Sequence, residues 1–272
     1  MSRTVFFVSD QTGVTAETMG HSLLTQFEGQ DFRAVTLPFV SSVDKAEEAR
    51  RRIDAAATED GLRPIVFGTI VQDEVRAVLE RSNGVFLDFF GAFVGTLERE
   101  LATTSSHRAG RAHGMADSTA YARRIDATNY ALANDDGSSR DYSAADVILV
   151  GVSRSGKTPT CLYMAMQYGI YAANYPLTDE DLESARLPPA LQAHKARLFG
   201  LTIAPSRLQQ IRAERRPGSR YASAPQVQFE LRAAETMFQR NGLPFLDTTQ
   251  CSIEEISVRI IEATGIARRL LP

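Results

Sequence analysis

Asp146-Val147-Ile148-Leu149-Val150-Gly151-Val152-Ser153-Arg154-Ser155-Gly156-Lys157-Thr158-Pro159-Thr160 decides the fold of this chain. Its centre, Gly151 to Thr158, is a complete G-x-x-x-x-G-K-[ST] phosphate loop. The β-branched run before it predicts a buried strand, and Cys161 to Tyr168 after it predicts a helix packed on a sheet. Strand, glycine loop and helix in that order cradle the phosphates of a nucleotide. The two glycines let the backbone curl so that several N–H groups face one anion. The helix N-terminus adds about half a positive charge. In this pattern Gly151, Val152, Ser153, Arg154, Ser155, Gly156, Lys157 and Thr158 bind nucleotide, Lys157 reaches the reacting phosphate and the Thr158 hydroxyl ligates Mg²⁺. Pro159 falls in the first helical turn, where a missing N–H costs nothing.

Working outward, strands and helices alternate on both sides. Upstream, strand-like runs at 5–8, 34–40, 64–70 and 84–90 are separated by helical stretches near 15–28, 43–57 and 72–82. Downstream, strands are expected at 172–177, 197–203 and 243–249, with an acidic turn at 178–181 and a long helix over about 222–240. Ser252 and Glu255 spell a capping box before a final helix. The pattern predicts an α/β protein of two domains: an open, mainly parallel sheet over 1–104, and a phosphate-loop, kinase-like domain over 144–272. Residues 105–143 read as a connector, with a helix over 121–133 and a turn-rich segment around Asn134-Asp135-Asp136-Gly137.

Bulk properties set the outer limits. The chain has 272 residues, 43% of them hydrophobic and 23% charged, as expected of a globular protein with a substantial core. A net charge of −3 gives no reason to expect nucleic acid or an anionic membrane as partner. No apolar stretch approaches the ~20 residues that span a bilayer, and the start reads as lacking a signal peptide, so a cytoplasmic location is expected. Cys161 and Cys251 make neither a disulfide framework nor a zinc site, and Cys161 reads as a core residue.

Other residues suit phosphate chemistry. Ser9-Asp10-Gln11-Thr12-Gly13 follows the first strand at the carboxyl end, where open α/β sheets take ligands; helix capping by Asp10 or Thr12 explains it equally well. Asp88 and Asp247 close apolar runs as metal-supporting acids do, or as turn and cap residues do. The cluster Arg207, Arg212, Arg215, Arg216 and Arg220 suits either a phosphate-binding lid or a solvated helix face. Among the four histidines (His21, His107, His113 and His194) no metal-ligand spacing occurs. From the residues alone, an ATP-dependent small-metabolite kinase and a non-enzymatic nucleotide switch both remain open.

These motifs resemble the bacterial phosphoenolpyruvate synthase regulatory proteins, relatives of the pyruvate, phosphate dikinase regulatory proteins. The resemblance runs nearly end to end. Val8 to Glu17, Arg123-Arg124-Ile125-Asp126-Ala127, Asp135-Asp136-Gly137, Gly151 to Thr160, Gly200 to Ile203, Ile211 to Arg216 and Ser219 to Ala222 carry it. It implies a bifunctional enzyme that phosphorylates a threonine of phosphoenolpyruvate synthase with ADP as donor. The reverse activity removes the phosphoryl group with inorganic phosphate and releases pyrophosphate. On this footing Lys157 stabilises the moving phosphoryl and Asp10 or Asp88 orients the acceptor threonine. Arg212, Arg215 and Arg216 bind phosphate, and homo-oligomers are possible.

Overall fold

The computed structural model describes residues 2–106, 118–137, 141–184 and 186–270; His107 and His113 lie outside them. The chain forms two compact units, Met1–Ala116 and Asp117–Pro272. In the first, the elements are β1 (Arg3–Ser9), α1 (Val14–Leu24), β2 (Phe32–Leu37), α2 (Val43–Asp60), β3 (Ile65–Thr69), α3 (Asp73–Glu80), β4 (Val85–Asp88) and α4 (Phe89–Leu101). The strands pair in parallel in the order β2-β1-β3-β4. Parallel pairing requires crossover helices, so β1 is buried on both faces. Phe6, Val8, Val66 and Ile70 pack on one side with Ala46, Ile53 and Val78 of α2 and α3. Val5, Phe7 and Phe67 pack on the other with Ala16 and Phe89.

The second unit contains α5 (Ser118–Ala133), β5 (Val147–Gly151), α6 (Lys157–Tyr168), β6 (Ala172–Pro176), α7 (Asp179–Ser184), α8 (Pro189–Gln192), β7 (Leu198–Thr202), α9 (Pro205–Arg215), α10 (Ala224–Asn241), β8 (Phe245–Asp247) and α11 (Ile253–Thr264). Its parallel sheet runs β6-β5-β7-β8, the strand order of the first unit repeated. β5 is buried throughout. Ile148 and Val150 face Leu208, Val227 and Leu231 of α9 and α10, while Val147 and Leu149 face Met164, Ile256 and Ile260 of α6 and α11. In this order the connections that follow β5 and β7 run in opposite directions, which opens a crevice at the carboxyl ends of these two strands.

Three local readings change. Phe89 and Phe90 continue the apolar run of β4 but are helical, because the Asp88 carboxylate accepts from the Phe90 N–H and starts α4. The expected acidic turn at 178–181 is a capping box instead. Asp181 N–H donates to Thr178 Oγ1 at 3.3 Å, Thr178 N–H donates to Asp181 Oδ2 at 3.0 Å, and α7 follows. The first helix is capped by neither Asp10 nor Thr12; its N-cap is Gly13, at φ +88°.

Candidate functional site

The crevice of the second unit holds the phosphate loop. Gly151 ends β5 with its Cα against the neighbouring strand: a Cβ there would lie 2.5 Å from the Leu201 carbonyl oxygen and 2.9 Å from Ser155 Oγ. Gly156 has φ +92° and is the N-cap of α6, so the loop enters the helix with no side chain covering the first amide groups. Free amides at a helix N-terminus, together with the helix dipole, suit an anion. Inside the curl, Ser155 is 1% exposed and its hydroxyl has no hydrogen-bond partner among the described residues. A buried unpaired hydroxyl costs about 1–3 kcal/mol, which a phosphate oxygen would offset. Gly151→Ala is expected to displace the loop against the Leu201 backbone, costing about 1–3 kcal/mol. Calorimetric titration with ADP should show at least a tenfold loss of affinity.

Lys157 is folded into the loop, only 4% exposed, and its Nζ donates to the Val152 carbonyl at 2.8 Å. Burial pushes its pKa down to about 8; Asp136 and Asp135 oppose the shift, and Arg212 adds to it. An anion entering the loop would supply the countercharge this ammonium lacks. Beneath it, burial drives the Cys161 thiol far above its ordinary range and its Sγ donates to the Ala173 carbonyl, as befits a core residue.

On one flank stand two carboxylates from the turn after α5. Thr158 Oγ1 donates to Asp135 Oδ1 at 2.7 Å. Asn174 of β6 is 1% exposed; its Nδ2 donates to Asp135 Oδ1 and, at 2.9 Å, to Thr158 Oγ1, with Asp136 Oδ1 at 3.5 Å. The Asn174 N–H also donates to the Asn134 carbonyl, which ties this turn to the sheet. A hydroxyl with adjacent carboxylate oxygens is a donor set suited to Mg²⁺. Among the described residues, no cluster of three or more His, Cys, Asp or Glu suits a metal.

The other flank is a brace. Arg212 of α9 is fully buried: its Nη2 donates to Glu230 Oε2 at 2.6 Å and to the Ser153 carbonyl at 3.1 Å, and its Nη1 donates to the Tyr221 carbonyl at 3.0 Å. The guanidinium also stacks on the Tyr221 ring, 4.1 Å from its centroid, and the Tyr221 hydroxyl lies 2.8 Å from Ser153 Oγ. The third support comes from Thr248 after β8, whose hydroxyl donates to the Thr202 and Ser155 carbonyls.

The structure disperses the expected arginine cluster. Arg212 is committed behind the loop, whereas Arg215, Arg216, Arg207 and Arg220 are exposed. Arg212 turns to Glu230 in the core, while Arg215 and Arg216 stand at the end of α9 at the surface. Asp247 closes an Asx turn onto Thr249. Asp10 and Asp88 belong to the first unit. Asp10 is buried, accepts from the Val71 N–H at 3.0 Å and thereby joins the loops after β1 and β3; burial raises its pKa. Asp88 caps α4 and lies 3.4 Å from Arg76. Within the second unit, the carboxylates beside the loop are Asp135 and Asp136. Sequence reading passed over them as catalytic candidates because they sit 22 and 21 residues before Lys157, with a whole strand between; their proximity arises from the β5–β6 pairing.

The profile of the kinase/pyrophosphorylase family matches residues 5–261. Relatives named "Putative phosphoenolpyruvate synthase regulatory protein" align over almost the whole chain. That of Halorhodospira halophila is 57% identical over 98% of both chains. Those of Ectopseudomonas mendocina and Alcanivorax borkumensis are each 53% identical over 99% of this chain and all of their own. No described helix is long and apolar enough to cross a membrane.

Proposed function

The chain belongs to the kinase/pyrophosphorylase family, and from that membership we propose that it reversibly phosphorylates a threonine of phosphoenolpyruvate synthase. ADP is the donor in one direction and inorganic phosphate the acceptor in the other. The observation that carries this reading is one phosphate cradle with a buried ammonium, Lys157, at its floor and a carboxylate, Asp135, hydrogen-bonded at its edge.

In the forward direction the acceptor threonine Oγ attacks the β-phosphorus of ADP. The Pα–O–Pβ bridge breaks on the β side, AMP departs with the bridging oxygen, and Asp135 takes the hydroxyl proton. In reverse, an oxygen of inorganic phosphate attacks the phosphothreonine phosphorus, pyrophosphate forms, and the released threonine oxygen regains a proton from Asp135. Phosphoryl transfer depends mostly on positioning and charge neutralisation, so the loop amides and Lys157 serve both directions. Thr158 would hold Mg²⁺, which would neutralise charge on the phosphate oxygens.

The test supplies phosphoenolpyruvate synthase with ADP labelled in its β-phosphate. Label on a synthase threonine, with AMP released, is the expected result. Label retained in ADP by a nucleotide-bound protein would overturn the reading, and ATP-driven transfer to a small molecule would replace it with a metabolite kinase. Asp135→Asn is expected to slow both directions by roughly 10²–10⁴. ADP affinity, measured by titration, should stay within a few-fold.

A further inference from the structure

Arg154 is a conformational exception within the loop. It has φ +74°, in the left-handed region that favours glycine, and it is one of four non-glycine residues at positive φ among the described residues. Holding a non-glycine residue there costs on the order of 1–3 kcal/mol and persists only where the surroundings impose it. Here they do. Ser153 is held on one side by Arg212 and Tyr221, and Ser155 on the other by Thr248. The two fixed neighbours leave the intervening residue only the left-handed turn, which a glycine would adopt without strain.

The side chain gives nothing back to the fold. Arg154 is exposed, and among the described residues its guanidinium has no hydrogen-bond or ion-pair partner. The other two cations of the loop region are buried: Lys157 inside the curl and Arg212 behind it. The loop therefore carries one cation directed inward, where the nucleotide phosphates would lie, and one presented to solvent, the side from which a protein acceptor must approach. A guanidinium fork matches two oxygens of a phosphoryl group, and an unpaired arginine at the mouth of such a site suits a dianionic phosphate on a second molecule.

We infer that Arg154 is a specificity residue for the phosphorylated acceptor, engaging the phosphothreonine of the partner protein while the loop backbone holds the other substrate. This inference rests on the proposed function and deepens it: the loop backbone reads ADP or inorganic phosphate, and its strained arginine reads the acceptor. In phosphorolysis the guanidinium would hold the phosphothreonine oxygens as the P–Oγ bond breaks. In the kinase direction it would meet the same oxygens as the phosphoryl group reaches the acceptor Oγ.

The experiment compares wild type with Arg154→Gly and Arg154→Lys in the full chain. Arg154→Gly removes strain and charge together, whereas Arg154→Lys keeps the charge without the fork. Phosphorolysis is followed as pyrophosphate release from synthase first phosphorylated by the wild-type chain, and ADP binding by calorimetry. For Arg154→Gly, we expect an unchanged or raised melting temperature and ADP affinity within about threefold. Its KM for phosphorylated synthase should rise at least tenfold. Arg154→Lys should recover part of that loss. An unchanged KM in Arg154→Gly would overturn the inference alone, as would a loss of ADP affinity as large as the rise in KM. Absence of any transfer by wild type would overturn the proposed function, and the inference with it.

Discussion

Replacing Lys157 by methionine is expected to abolish transfer in both directions, by about 10³-fold or more, because one group stabilises the moving phosphoryl whichever way it travels. Methionine keeps the packing of the stem, so the loss reports the ammonium and not a cavity. Stability should move the other way. Burial lowers the lysine pKa from 10.5 to about 8, so the charged form is disfavoured in the folded chain. With the folded value below the unfolded one, the penalty is fully present below pH 8 and fades as pH rises towards 10.5. The shift corresponds to about 3 kcal/mol at pH 7. Lys157→Met should therefore melt higher than wild type at pH 7, and the two should converge by pH 10. Thermal melts at both pH values, alongside the labelled-ADP assay, check this. Retention of either transfer direction by Lys157→Met would show that the two activities do not share one site.

Arg212→Ala has the largest expected effect on stability. It removes the one ion-pair partner that buried Glu230 has among the described residues, both carbonyl contacts and the stacking on Tyr221. Breaking a buried pair from one side costs about 3–5 kcal/mol, mostly through the charge left behind. For a unit of this size that corresponds to a fall of roughly 10 °C in melting temperature. Removing both charges, as Arg212→Met with Glu230→Leu, should restore most of the stability. It should not restore ADP affinity, because the Ser153 carbonyl still lacks its donor. A double variant that recovered both would assign Arg212 a purely structural role, with no part in holding the phosphate loop.

The arrangement of strands and helices was legible because each strand is a compact apolar run and each crossover a longer amphipathic one. Ser252 caps the final helix as its spacing implied, its Oγ accepting from the Glu255 N–H, while the Glu255 carboxylate accepts from Arg259. Errors fell where a local contact outweighs hydropathy. The Asp88 cap turns Phe89 and Phe90 from strand to helix, and the Thr178–Asp181 box makes a helix of an acidic segment. In the candidate site, the strand, glycine loop and helix were legible because contiguous residues set them. The acid at its edge was not, since Asp135 meets Thr158 through a hydrogen bond spanning 23 positions of sequence.

By itself, then, the sequence determined what depends on neighbours along the chain: two parallel α/β units, a strand, glycine loop and helix over Asp146 to Tyr168, and a final helix that begins at the Ser252 cap. Tertiary structure alone decided which of many charged residues meet that loop. It buried Arg212 against Glu230, turned Lys157 inward, left Arg154 strained and exposed, and set Asp135 beside Thr158 through Asn174. The physical reason is that a charge is costly to bury without a partner. Which partner it finds depends on strand order and helix packing, to which no short stretch of sequence has access.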